Sequence, residues 1–187
     1  LGTLAMGITY TLFYVLGTWS LSYGVQALHF TQPQYLMMQM VSVFFFAIFI
    51  MVSCVAADKY GRKKVMLVVT AAALVFSFFT PLLLVHSVPR VMIFLCVGFV
   101  IMGGLFGPCG AYLPELFPTH VRYSGAGLSY NLAAIFGGAF APTIAQLLVN
   151  NPKIGIAGVG YYMAIMAVGA LVALLAIKES KNKNYEA

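Results

Sequence analysis

Asp58-Lys59-Tyr60-Gly61-Arg62-Lys63-Lys64 places five charges in one short gap between two long apolar runs. Four of the ten Lys/Arg residues and one of the four acids sit there. Asp58 and Arg62 are four apart with Gly61 between them, and a glycine permits the tight turn that brings such a pair together. The chemistry on offer is charge pairing, not bond-making. Lys59, Lys63 and Lys64 add a basic patch, and a patch of this kind in a short hairpin between membrane spans marks the cytoplasmic side. A second pair, Glu115 and Arg122, flanks Pro118 in the segment 114–123. Pro114 and Pro118 should interrupt any helix there, leaving a stiff connector braced by the two charges, with a purely solvated loop as the competing view.

Other chemistries find no support. An intramembrane enzyme needs paired acids, a Ser/His pair or a His-rich metal site. His29, His86 and His120 fall at loops or helix ends on both sides of the expected membrane, so they cannot converge. Cys54, Cys96 and Cys109 lie inside apolar runs, where thiols act as small hydrophobes, and no metal-ligand spacing occurs. We therefore expect no catalytic residue, no metal and no cofactor. The net charge of +6 does not indicate nucleic acid, because the bases sit at the ends of apolar runs, where topology and anionic lipid account for them.

The elements that must position these groups are membrane helices. The chain is 62% hydrophobic and 7% charged, with mean hydropathy +0.97, against roughly 25% charged in an ordinary soluble domain. A bilayer core needs about 20 apolar residues of helix, and six runs qualify: 3–27, 35–57, 65–85, 91–113, 125–149 and 156–177. The pattern predicts an all-α polytopic protein, a single six-helix bundle over 1–187 that ends in a short cytoplasmic tail, 178–187. With the Asp58 gap inside, eight of the ten bases become cytoplasmic and only Arg90 and Lys153 lie outside. Both termini are then cytoplasmic. The chain opens at Leu1 almost directly in an apolar run, which suggests a piece of a longer polypeptide.

The runs differ in character. The first is rich in hydroxyls and rings, whereas the third and sixth are nearly aliphatic. A hydroxyl-rich membrane helix lines something wet or meets polar partners, and aliphatic ones can face lipid. Tyr10 and Tyr14, four apart, share one helical face with Thr18 a turn further on. These three are the expected lining of a substrate pathway; helix–helix hydrogen bonding is the competing role. Asn131 is a further candidate, also readable as a helix–helix clamp. Gly103 and Gly107 form a small-xxx-small pair for close packing. Pro108 and Pro142 should bend their helices. The runs also read as two inverted groups of three, unusual first and greasy last.

Two segments carry a resemblance. Ala57 to Lys64 resembles the signature loop of the major facilitator superfamily, with Cys54 where that pattern has its first glycine. The stretch from Pro114 to Gly125, with Gly107-Pro108 and Ser129-Tyr130-Asn131, is similar to the penultimate cytoplasmic loop of its metabolite:proton symporter group. The resemblance spans essentially all 187 residues. It implies the C-terminal half of a twelve-helix carrier that works by alternating access. Its expected partners are an N-terminal six-helix half, the lipid bilayer, a small polar metabolite such as an organic acid or betaine, and protons. The expected location is a bacterial inner membrane. By the same resemblance Asp58 and Arg62 form a cytoplasmic latch, the first and fourth helices line the cavity, and the second and fifth meet the other half. A six-helix channel or structural subunit is the alternative, but no charge ring or filter-like loop supports a pore.

Overall fold

The computed structural model describes residues 1–177; the expected tail at 178–187 lies outside the described residues. The described chain is helical throughout, with six helices long and apolar enough to cross a membrane. Span 1 is Gly2–Gln26, span 2 Gln32–Tyr60, span 3 Arg62–Leu83, span 4 Val88–Glu115, span 5 Thr119–Val149 and span 6 Ala157–Ala176.

Local chemistry sets the ends. Span 2 starts ahead of its apolar run because Thr31 and Gln34 form a capping box, with a proline in the first turn. Its other end runs through Asp58 and Lys59 to Tyr60, and span 3 restarts at Arg62. What the sequence suggests as a seven-residue loop is thus a turn made by Gly61 alone, at φ 101°. Lys59 favours the extra helical turn, since a cation suits the negative helix end. A Cβ at that φ is strained. Gly61→Ala should therefore cost about 1 kcal/mol or more, read as a fall in the unfolding temperature in detergent. An unchanged temperature would mean that the turn relaxes.

Spans 2 and 4 make the most extensive helix contact. A Cβ on Gly103 would stand 2.6 Å from the Phe46 carbonyl oxygen, and one on Gly107 would stand 2.7 Å from that of Ile50. The Ser53 hydroxyl lies 3.2 Å from the Gly103 carbonyl oxygen across this contact. The helix of span 4 continues through Pro108. Pro142 does not bend span 5 from within. That span runs as helix Arg122–Ala133, a π turn Ala134–Ala139, and helix Ala141–Val149, which carries Pro142 in its first turn. The interruption precedes the proline, at a position where the missing N–H has no helical partner to lose.

Spans 3 and 6 pack on one another. The buried Thr70 and Ser77 hydroxyls donate to the carbonyls of Met66 and Ala73 in their own helix, each at 2.7 Å. Aliphatic composition suggested these two spans as the lipid-facing ones; each carries exposed apolar side chains, and spans 2 and 5 are the least buried of the six. Met37, Met40, Phe44 and Val55 on span 2, and Leu128 and Phe136 on span 5, are exposed. Spans 3 and 6 bury one face against each other and still leave Val68, Val75, Phe78, Ile165, Val172 and Leu175 exposed, so open apolar surface is not confined to spans 2 and 5.

Candidate functional site

One face of span 1 forms a polar, partly open wall of the bundle. Tyr10 and Tyr14 are half-buried on it, and Gly17 and Thr18 are exposed. Rings gather around the tyrosines. Tyr10 meets Phe106 of span 4 edge-on at 6.2 Å, and Phe106 meets Phe46 of span 2 at 5.9 Å. On the other side Tyr14 lies over Gly138 of span 5, where a Cβ would stand 2.6 Å from its ring. The expected pathway residues Tyr10, Tyr14 and Thr18 therefore share a wall, framed by spans 2, 4 and 5. Hydroxyls beside ring faces suit a small polar solute, and a cationic one gains cation–π contact.

The backbone behind this wall is irregular. Span 1 widens into a π turn over Val15–Trp19, which packs against helix Ala141–Val149 of span 5, while the π turn of span 5 packs against Gly2–Tyr14. A Cβ on Gly137 would stand 2.5 Å from the Gly7 carbonyl oxygen, so spans 1 and 5 touch backbone to backbone. The Thr11 hydroxyl sits between two carbonyl oxygens there, 2.6 Å from Gly137 and 3.0 Å from Gly7. Gln39 of span 2 donates its amide to the carbonyls of Leu16 at 2.8 Å and Gly17 at 3.0 Å. Sequence reasoning passed over Gln39, although a lone amide in so apolar a run signals a polar partner.

Asn131 does not clamp two helices through its amide, which donates to the Gly127 carbonyl of its own helix at 2.8 Å. Its side chain is exposed and borders an open cleft of about 870 Å³, shared with Arg122 and Tyr130. A short exposed amide meets its nearest acceptor one turn back before it can reach another span.

The Gly61 end of the bundle carries the charges. Arg62 pairs with Glu115 of span 4 and lies 3.7 Å from Asp58. The Arg62 and Glu115 side chains are 31% and 25% exposed, against 73% for Asp58. Lys63 donates to the Ile177 carbonyl and lies 3.4 Å from that of Leu175, which serves the negative end of span 6. Lys59 stays exposed, over the Tyr60 ring. The sequence considered Glu115 only with Arg122 of its own hairpin; the structure bonds it to Arg62 of the neighbouring hairpin. The reason is that Pro114 does not stop the helix. Span 4 extends to Glu115 and, packed against spans 2 and 3, delivers the carboxylate to Arg62.

Known proteins share this chain's sequence over almost its full length. A protein of Haemophilus influenzae (strain Rd) is 42% identical, across 97% of this chain and 44% of its own length. The inner membrane metabolite transport protein YhjE of Escherichia coli K12 is 41% identical, across 98% of this chain and 43% of its own. The glycine betaine/proline/ectoine/pipecolic acid transporter OusA of Dickeya dadantii is 28% identical, across 96% of this chain and 35% of its own. The chain thus spans less than half the length of these relatives, which carry the names of transport proteins and not of enzymes. No solved structure matches it. The model of the Major Facilitator Superfamily matches residues 1–187 from end to end, and with six membrane-type helices and relatives above 40% identity the chain belongs to that superfamily.

Proposed function

We propose that this chain is the C-terminal half of a secondary transporter that moves a small polar metabolite, together with protons, by alternating access across a bacterial inner membrane. The observation that carries this reading is the aromatic and hydroxyl wall on span 1, open in an otherwise greasy bundle. An N-terminal six-helix half would close over that wall and cover the open apolar faces of spans 2 and 5. Both termini and the Gly61 end face the cytoplasm in this reading, in keeping with the basic residues there. Tyr10, Tyr14 and Thr18 would contact the solute, with Asn131 and Arg122 at the cytoplasmic mouth.

The substrate class favoured is an organic acid or a betaine-type osmolyte. The tyrosine and phenylalanine rings offer a face to a quaternary ammonium group, and OusA is named for such solutes. Asp58 and Glu115 are the only acids within residues 1–177, and both lie at helix ends. A proton-binding carboxylate deep in the membrane would come from the other half.

The direct test is uptake by the full-length carrier in proteoliposomes under an imposed pH gradient, offering monocarboxylates, dicarboxylates, aromatic acids and betaines. Saturable, gradient-driven accumulation of one class is the expected result. Unsaturable ion conductance with no accumulation would favour a channel. Within such an assay Tyr14→Phe should weaken apparent affinity about three- to tenfold, the worth of one hydroxyl hydrogen bond, with folding intact. Unchanged affinity would remove Tyr14 from the contact set.

A further inference from the structure

We infer that Gln39 is a positioning residue, whose amide holds the π turn of span 1 open and thereby keeps a stripe of polar side chains on one face. The inference rests on reading that face as the transport pathway. The stripe is Tyr10, Tyr14, Thr18, Ser22 and Gln26, one residue in every four. An α-helix turns about 100° per residue, so sixteen residues on from Tyr10 a plain helix would place Gln26 about 160° away, on the far side. A π turn takes up one extra residue, which subtracts about 100° and returns Gln26 to within about 60° of Tyr10. The burial pattern follows the second geometry: the two tyrosines are half-buried, and Thr18, Ser22 and Gln26 are all exposed.

The wide turn has a cost that Gln39 offsets. The Ser20 backbone N–H bonds the Val15 carbonyl, five residues back. The Leu16 carbonyl thereby loses the donor that an α-helix would supply, and inside a membrane an unpaired carbonyl is costly. Two side chains replace that donor. The Ser20 hydroxyl donates to the Leu16 carbonyl at 2.6 Å, and the buried Gln39 amide reaches the carbonyls of both Leu16 and Gly17. Gly17 itself has nothing within 4 Å of where a Cβ would sit, so the turn also leaves a gap in the wall beside Thr18.

Without the amide, span 1 should relax towards a plain α-helix and rotate its outer half away from the pathway. The test uses the full-length carrier with its native cysteines, including Cys54, Cys96 and Cys109, replaced. Single cysteines at Tyr14, Ser22 and Gln26 are labelled with a membrane-impermeant methanethiosulfonate. Gln39→Met keeps the shape and removes the donors. It should slow labelling at Ser22→Cys and Gln26→Cys about tenfold, the effect of losing one buried partner, and leave Tyr14→Cys unchanged. Deleting Gly17 removes the extra residue, so in that background labelling at both outer sites should persist and Gln39→Met should have no effect. A silent Gln39→Met in the unaltered carrier overturns the inference and leaves the pathway reading standing. Absent labelling at Tyr14→Cys in the unaltered carrier overturns the pathway reading and the inference together. If Gln39→Met fails to accumulate, it should accumulate in the Gly17-deleted chain; failure there also overturns the inference.

Discussion

Arg62→Ala in the full-length carrier is expected to cut transport at least tenfold while leaving membrane insertion intact. Arg62 joins the Gly61 turn to the end of span 4 through Glu115, with Asp58 at 3.7 Å on its other side. A hydrogen bond to a charged partner is worth about 1.5–3 kcal/mol, which shifts a two-state balance roughly ten- to a hundredfold. The tie lies at one end of the bundle only, so its loss should favour states in which that end is open. Cysteine labelling from the side of the Gly61 end should rise, and labelling of the opposite mouth should fall. Glu115→Gln should reproduce most of the effect. Asp58→Asn should give much less, because Asp58 is the most exposed of the three and its separation from Arg62 is long. The exchange Arg62→Glu with Glu115→Arg should recover part of the activity lost in either single reversal. No recovery in the exchange, or equal effects from Asp58→Asn and Glu115→Gln, would rule out the tie between spans 3 and 4 as the working contact.

Gly103→Val is expected to be among the most damaging single changes in the bundle. A Cβ there falls 2.6 Å from a backbone oxygen of span 2, and neither helix backbone can yield as a side-chain tip would. Overpacking of a well-fitted core costs about 1–3 kcal/mol and rises when backbone must move, so the carrier should accumulate poorly or unfold several degrees lower in detergent. Gly110→Val offers a control on the same span, since nothing lies within 4 Å of its missing Cβ. Equal behaviour of the two variants would show that spans 2 and 4 are not held by this contact.

Much of the architecture was legible without coordinates. Twenty or so apolar residues between turn signals can satisfy their backbone in a bilayer only as a helix. Six spans, their order and the family follow from composition and two charged segments. Tyr10 and Tyr14 were also legible, since residues four apart share a helical face whatever surrounds them.

Three matters were decided by the tertiary structure. The Asp58 segment became a one-residue turn, because helix ends depend on neighbours as much as on propensity: Arg62 and Lys63 find acceptors on spans 4 and 6 that no local pattern announces. Glu115 found Arg62 and not only its own hairpin, because Pro114 was absorbed into a helix whose path is set by packing against spans 2 and 3. The polar stripe of span 1 runs past Tyr14 to Gln26 only because a π turn corrects the helical drift, and that turn is supported by Gln39, twenty-three residues from the carbonyl it serves. Sequence periodicity assigns residues to faces within an uninterrupted helix. It cannot register an inserted residue whose stabilising partner comes from another span, since that free energy exists only once the two helices have met.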